Sequence, residues 1–516
     1  MKPYFLFLSL LAFVVSCAKE ETKNYPSLPV DGITEYFDSS LKPFYHGVAS
    51  GDPLSDAVII WTRVTPEDSL PKIEVKWMIS ESIDFQRPFQ EGTASTSPDQ
   101  DYTVKVDVSG LESGVQYFYQ FIALGDTSIV GKTKTSPKAG NDKVRFGVVS
   151  CSNFEWGLFT SYRKMAEKDL DAVLHLGDYI YEYGPGTYGD TALQRTHYPP
   201  KEVISLQDYR LRYSQYRLDP DLRLAHQNHA FISIWDDHEI ANDSYVDGAE
   251  NHQSDEGDYI TRREAARKAY YEWLPVRNSK ELYRKFDYGD LVDLVMLDER
   301  LAGRTAPADS INDPSLLDST RTMLGAEQLE WFKKQLTSSK AEWKVIGNQV
   351  IYSYLNWGRP SFSINLDSWD GYPSEQKEIA ELIRADSIEN VVFVTGDTHS
   401  SWAFEVTVDP FTFYDQESGE GAFAVEFGAT SINSANSDEW YPTDSVIVQE
   451  ERIVNSPINP HLKYANLRDH GYLILTLSEE QARADWYYVE SLTNKTANER
   501  LGKTVTTKSG SNRLSF

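Results

Sequence analysis

Two hydrophobic patterns divide the chain. Between about Pro43 and Lys138, apolar and polar residues alternate in short runs, "DAVIIWTRV", "KIEVKWMIS", "YTVKVDVSG", "QYFYQFIALG" and "GKTKTS", each closed by a turn. Alternation at spacings of about ten residues, without helical periodicity, predicts a β-sandwich of roughly seven strands. "SPKAGND" then reads as a linker, with Pro137, Gly140 and Asn141 breaking the pattern. From Val144 onward, continuous apolar runs are separated by amphipathic ones. "VRFGVVS", "DAVLHLGD", "AFISIWDDHE", "LVDLVMLDER", "EWKVIGNQV" and "NVVFVTGDTHSSW" predict buried strands, and "GLFTSYRKMAEK" and "GAEQLEWFKKQLTSS" predict helices. Strands alternating with helices predict an α/β architecture, in which ligands collect outside the carboxyl ends of the strands. The last stretch, "NKTANERLGKTVTTKSGSNRLSF", is polar and strand-like in places.

The first residues follow neither pattern. Met1-Lys2 precedes the apolar run "PYFLFLSLLAFVV", which has the charged start and apolar core of a secretory signal and is too short to span a membrane. Val14-Val15-Ser16-Cys17 resembles the lipobox of bacterial lipoproteins, whose cysteine is acylated and becomes the first mature residue. Residues 1–17 are therefore expected to be a lipoprotein signal with Cys17 as the lipidation site. Residues 18–42, opening with "AKEETKNYPSLPVDG", suit a flexible tether. Ala18 followed by Lys19-Glu20-Glu21 resembles lipoproteins sorted to the outer membrane, and the acidic cluster resembles surface-export signals. The expectation is an exported protein held at the outer membrane by a lipid anchor alone and exposed at the surface.

Composition narrows the function classes. The 31 Tyr, 23 Phe and 12 Trp among 516 residues argue against disorder and allow substantial cores. A net charge of −28 would repel phosphate backbones, so no nucleic-acid binding is expected. An anionic substrate would need a local positive centre, from metal cations or a focused arginine. Only two cysteines exist, and if lipid takes Cys17, Cys151 stands alone. An unpaired cysteine in an exported chain suggests an intermolecular bridge, a reactive thiol or a metal ligand, with a buried structural cysteine as the plain alternative.

Candidate chemistry sits where the predicted strands end: Cys151, Asp178, Asp236-Asp237-His238, Asn348, and Asp397 with His399. One polar residue after a strand is ordinary turn chemistry. Five such ends, brought together, would repel unless cations joined them. Asp178 and Tyr181 are three apart, so one turn of helix or loop could aim both at one ion; Asp397 and His399, two apart on an extended segment, would point the same way.

Together, "FGVVSCSN", "LHLGDYIYEYG", "ISIWDDHEIANDSY", "LVDLVMLDER", "KVIGNQV" and "VVFVTGDTHSSWAFE" closely resemble the alkaline phosphatase D family, the PhoD-like metallophosphatases. "FYHGVASGDPLSDAVIIWTRV" resembles the family's N-terminal β domain, and "NPHLKYANLRDHGYLIL" its C-terminal segment. The resemblance implies a calcineurin-like fold: two sheets sandwiched between helices in a catalytic domain over residues 143–516, preceded by a fibronectin III-like β-sandwich over residues 43–138. Ser150-Cys151-Ser152, Asp236-Asp237-His238-Glu239 and Gly396-Asp397-Thr398-His399 depart from the wider fold's Asp-x-His, Gly-Asn-His-Glu and Gly-His-x-His, and these departures are shared by the PhoD branch.

What the resemblance implies for metals follows position by position. Cys151, Tyr181 and His399 form a soft, anionic set suited to ferric iron, and zinc is compatible with the same thiolate. Asp178, Asp237 and Asp397 form a hard oxygen set suited to calcium, with Asp178 bridging. Asn242 and Asn348 are candidate further metal or phosphate contacts. His238 is the candidate catalytic residue, stabilising the transferring group or protonating the leaving oxygen; the alternative is a hydrogen bond to a neighbouring ligand. Arg300 faces substrate or forms a salt bridge, and the sequence does not choose. The expected activity is hydrolysis of small phosphate esters by metal-activated water, in a monomer. A phospholipase D-like phosphodiesterase acting on lipid headgroups is the runner-up, and a non-catalytic surface-binding lipoprotein the third reading. That third reading requires lost metal ligands, and none is lost.

Overall fold

A computed structural model describes residues 32–359 and 362–516. The expected signal, Cys17 and the first part of the expected tether lie outside the described residues. Residues 32–42, the end of the expected tether, rest on the body: Ile33 is buried, and Phe37 stacks on Tyr45 with ring centroids 4.2 Å apart.

Two sheets face each other. The nine-stranded sheet runs in the order Glu499–Lys508, Gln481–Val489, Gly471–Ser478, Lys143–Val149, Ala172–His175, Ala230–Ser233, Val48–Gly51, Ala57–Arg63, Thr103–Ser109. The seven-stranded sheet runs Arg284–Tyr288, Val292–Met296, Trp343–Asn348, Val391–Thr395, Ala422–Gly428, Ser401–Thr407, Leu462–Asn466. Their central strands are parallel and buried on both faces, which is why they read as continuous apolar runs rather than alternation. Phe146 and Val148 of one sheet share a core with Leu294, Met296, Val392, Val394 and Phe427 of the other. Helices cover the outer faces. Gly325–Ser338 turns Gln328, Phe332 and Leu336 inward at four-residue spacing, and Phe332 and Leu336 pack with Ile379 and Ile383 of the helix Pro373–Ala385.

The N-terminal sandwich is present, but one of its layers belongs to the nine-stranded sheet. Strands Ile73–Ser80, Gln90–Thr96, Gln116–Ala123, Asp126–Thr127 and Gly131–Lys134 make a five-stranded sheet. Its Val75, Ile79, Tyr119 and Phe121 pack on Val58, Ile60, Val104 and Val108 from strands of the nine-stranded sheet. The join is Val48–Gly51, which pairs in parallel with Ala230–Ser233, Ser50 opposite Ala230. Among the described residues, no helix is long and apolar enough to cross a membrane.

Candidate active site

The parallel strands of both sheets deliver their carboxyl ends to one place. Cys151 lies just past Lys143–Val149, Asp178 past Ala172–His175, Asp237 past Ala230–Ser233, and Asp397 past Val391–Thr395. They meet at a cavity of about 240 Å3 whose lining includes Asp178, Asp237, His238, Asp243, Asp367, Asp397 and His399. Cys151 Sγ, an Asp178 oxygen and a His399 ring nitrogen lie within 4.8 Å of one another, as do donor atoms of Asp178, Asp237 and His238, and of Asp237, Asp243 and Asp367.

The backbone turns sharply at these residues. Cys151, Asp178, Asp243, Asp397 and His399 have φ of 58°, 55°, 53°, 62° and 59°, in the left-handed region that ordinary residues avoid at a cost of about 1–3 kcal/mol each. Asp397 and His399 are therefore not on an extended segment. They reach the cavity through two left-handed turns, because the strand stops at Thr395. The strand expected to run into Asp236 and Asp237 likewise stops at Ser233. Gly177 allows the crossing of the two loops: its φ is 107°, and a Cβ there would lie 2.3 Å from the Asp236 Cβ. Glu239 ties the same loops, accepting from the amides of Asp178 (3.0 Å), Tyr179 (2.6 Å) and Asp236 (2.8 Å).

The Tyr181 hydroxyl donates to Asp178 Oδ2 at 2.9 Å, lies 3.2 Å from His399 Nε2, and receives the Ser434 hydroxyl at 2.8 Å. His399 Nδ1 donates to the Ala435 carbonyl at 2.7 Å, which leaves Nε2 as the ligand nitrogen. Ser434 Oγ also lies 2.9 Å from the Cys151 carbonyl oxygen. Arg300 is salt-bridged and fully buried: Nε donates to Asp236 Oδ1 at 2.5 Å, Nη1 to both Asp367 oxygens, and Nη2 lies 3.8 Å from Asp237 and from Asp397.

Similarity to known proteins is extensive. The sequence profile of the PhoD-like phosphatases matches residues 146–486, and that of the PhoD-like phosphatase N-terminal domain matches residues 34–137. Alkaline phosphatase D of Bacillus subtilis (strain 168) is 38% identical over 472 residues, covering 86% of this chain and 77% of that relative. The chain belongs to the PhoD-like phosphatase family. A solved structure described as "Structure of PhoD" agrees at TM-score 0.82 and 35% identity, covering 92% of this chain and 91% of the other. As a PhoD-like phosphatase the chain is a metal-dependent phosphoric ester hydrolase, and phosphate esters are its substrates.

Electrostatics of this PhoD-like cavity fit metal ions. Burial pushes the Cys151 thiol well up, with Asp178 adding to it. Burial raises the Asp178 carboxyl far above the usual range, His238 opposing and Asp237 reinforcing. Asp397 is raised by burial and by Asp236, against Arg300. Asp243 is pushed up to about 7 by burial and by Asp367. Asp237 runs the other way: burial raises it, but Arg300, His238 and the Asp243 amide together hold it below the ordinary value. Two arginines, Arg300 and Arg304, and one histidine do not neutralise this many carboxylates. Asp178 Oδ1 and Asp236 Oδ2 are buried without a hydrogen-bond partner among the described residues, and cations would complete such a donor set.

Some site residues do not stand out in the sequence. Glu182, fully buried, lies four residues after Asp178 in "GDYIYE" and holds His238 Nδ1 at 2.7 Å. Its other oxygen accepts from the Asn242 amide and from Asn251 Nδ2, both at 2.8 Å. Asp243 follows Asp237 by six in the same loop, whereas Asp367 and Asn365 come from an irregular stretch with no strand before them. Tyr183 and Tyr188 wall the cavity. Asn242 lines it too, its Nδ2 bonded to Glu250 at 3.2 Å. Asn348 is not among the residues lining the cavity: it is buried, accepts from Trp369 Nε1 at 3.2 Å and donates to the Val350 carbonyl.

Proposed function

We propose that this enzyme hydrolyses small phosphate esters at a two-metal cavity, with iron held by Cys151, Tyr181 and His399, calcium by Asp178, Asp237 and Asp397, and Asp178 shared. The observation that carries this reading is that Asp178 belongs both to the cluster with Cys151 and His399 and to the cluster with Asp237 and His238. Thiolate, phenolate and imidazole favour a soft or ferric ion, and carboxylates a hard one. What a metal pair supplies when bound is positive charge for the phosphoryl oxygens and an acidified water for in-line attack.

The chain's own residues do the rest. Glu182 fixes the His238 ring through Nδ1, which keeps Nε2 for the substrate. His238 hands a proton to the leaving alcohol as the ester bond breaks. Arg300 holds Asp236 and Asp367 and sits between Asp237 and Asp397, keeping a crowded set of carboxylates in register. Tyr183 and Tyr188 narrow the cavity and limit water.

Attachment to the outer membrane through an acylated Cys17 belongs to the same proposal. Its support is the lipobox-like Val14-Val15-Ser16-Cys17. The test of function is hydrolysis of matched mono- and diesters before and after calcium chelation. Activity that falls on chelation and returns with calcium is expected; hydrolysis unchanged after removal of all metals would overturn the mechanism.

A further inference from the structure

The cavity is polar, but a run of aromatic rings leads from its wall to the surface. Tyr188, which lines the cavity, contacts Trp156 with ring centroids 5.7 Å apart, and Trp156 contacts Trp440 at 5.6 Å, both edge to face. The Trp156 indole N–H has no partner among the described residues, so ring contacts seat it. Trp440 is 60% exposed and the adjacent Tyr441 50% exposed. Large aromatics side by side at the surface are uncommon unless something covers them.

These rings are held in place. Trp440 closes the short helical turn Ser437–Glu439, which follows directly on Ala435, the residue that accepts from His399. The Arg359 guanidinium lies over the Tyr441 ring at 5.3 Å and is itself anchored on Gln449 Oε1 at 3.1 Å. A rim fixed in this way loses little freedom when a ligand settles on it.

We propose that Trp440 and Tyr441 form the leaving-group subsite of this phosphatase, stacking on a ring-bearing alcohol while the phosphoryl group occupies the carboxylate cavity. The inference rests on the ester-hydrolase reading above and extends it to a substrate class. In an in-line displacement the attacking and leaving oxygens are opposed. Attack by water held at the carboxylates would send the leaving alcohol away from them, and the ring run that starts at Tyr188 in the cavity wall ends at Trp440. Ring faces accept aryl groups and the C–H faces of sugars alike, so the shared chemistry is a flat or weakly polar ring next to the ester oxygen.

The test compares kcat/KM for benzyl phosphate and methyl phosphate, whose alcohols differ mainly in the ring, in the metal-loaded wild type and in Trp440→Ala and Tyr441→Ala. Each ester is offered as monoester and as methyl diester. The benzyl-to-methyl ratio is expected to fall roughly tenfold in Trp440→Ala and to be largely restored in Trp440→Phe. A benzyl-to-methyl ratio and a glucose 6-phosphate-to-glycerol phosphate ratio both unchanged in both alanine variants would overturn the subsite while leaving the hydrolase reading intact. Failure of the wild type on every one of these esters would instead strike at the hydrolase reading, and the subsite would fall with it. Glucose 6-phosphate against glycerol phosphate separates sugar from aryl preference: a ratio that falls only for the glucose ester assigns the rim to sugar rings, and one that falls only for the benzyl ester assigns it to aryl rings.

Discussion

His238 and Glu182 form a buried pair in which the carboxylate fixes the ring at 2.7 Å and the neighbouring amides of Asn242 and Asn251 fix the carboxylate. Burial alone would favour neutral His238, but Glu182, Asp237 and Asp178 together raise its pKa well above the ordinary value, the direction needed in a proton donor. If His238 protonates the leaving oxygen, its loss should depend on how much that oxygen needs a proton. His238→Gln is expected to slow methyl phosphate hydrolysis by about 10²–10⁴-fold and 4-nitrophenyl phosphate hydrolysis far less, since nitrophenolate leaves unprotonated. Glu182→Gln should fall between wild type and His238→Gln on the methyl ester. Equal losses on both esters would mean that His238 only braces a neighbour. Of this pair, His238 is visible in the sequence because it follows Asp237 at the end of an apolar run. Glu182 is visible only as a letter in "GDYIYE", because its role depends on a partner 56 positions away.

At the scale of elements, the site is a set of loops bent hard after short strands. The apolar runs that predict those strands are local signals, and for that reason Cys151, Asp178, Asp237 and Asp397 are legible as strand-end residues. The exact ends are not, since Ala230–Ser233 stops three residues before Asp236 and the left-handed turns at Asp397 and His399 have no composition signature. Asp367 was illegible for a different reason: it arrives on an irregular segment and becomes a site residue only because Arg300 and Arg304 pull it in. Gly177 is the most exacting position in these loops, needing both a positive φ and the absence of a Cβ. Gly177→Ala should cost about 2 kcal/mol or more in urea unfolding and should disturb metal binding, because the displaced neighbour is the Asp236 loop. A variant with wild-type stability and metal content would show that the loops are softer than the contact implies.

Across the whole molecule, the sharing of one sheet by both sandwiches could not be read from the sequence. Val48–Gly51, the four residues "VASG", is short and has three small residues, and its partner Ala230–Ser233 lies far along the chain. Buried histidines set part of the pH response at this scale. Burial lowers His461 and His175 to about 3 and His229 to about 4, so all three fold as neutral rings. Their unfolded forms take up protons near pH 6.5, so their contribution is intact above that pH and is lost as pH falls from 6.5 toward about 4 for His229 and about 3 for His461 and His175. Buried Glu299 and Asp370, both raised to about 8 chiefly by burial, act oppositely: folded and protonated, they add stability as pH falls from 8 toward 4.5. A single variant separates the two groups. His461→Asn should shrink the stability difference between pH 7.5 and pH 5.0 by about 2 kcal/mol, read from urea midpoints at the two pH values. No change in that difference would mean that His461 is not neutral in the fold. The central claim, that one carboxylate joins two metals into a single hydrolytic site, is tested most directly by metal content per chain in the wild type and in Asp178→Asn. Stoichiometric iron and calcium are expected in the wild type, and loss of both, together with ester hydrolysis, in the variant. Retention of both metals by Asp178→Asn, or hydrolysis by a metal-free wild type, would contradict it.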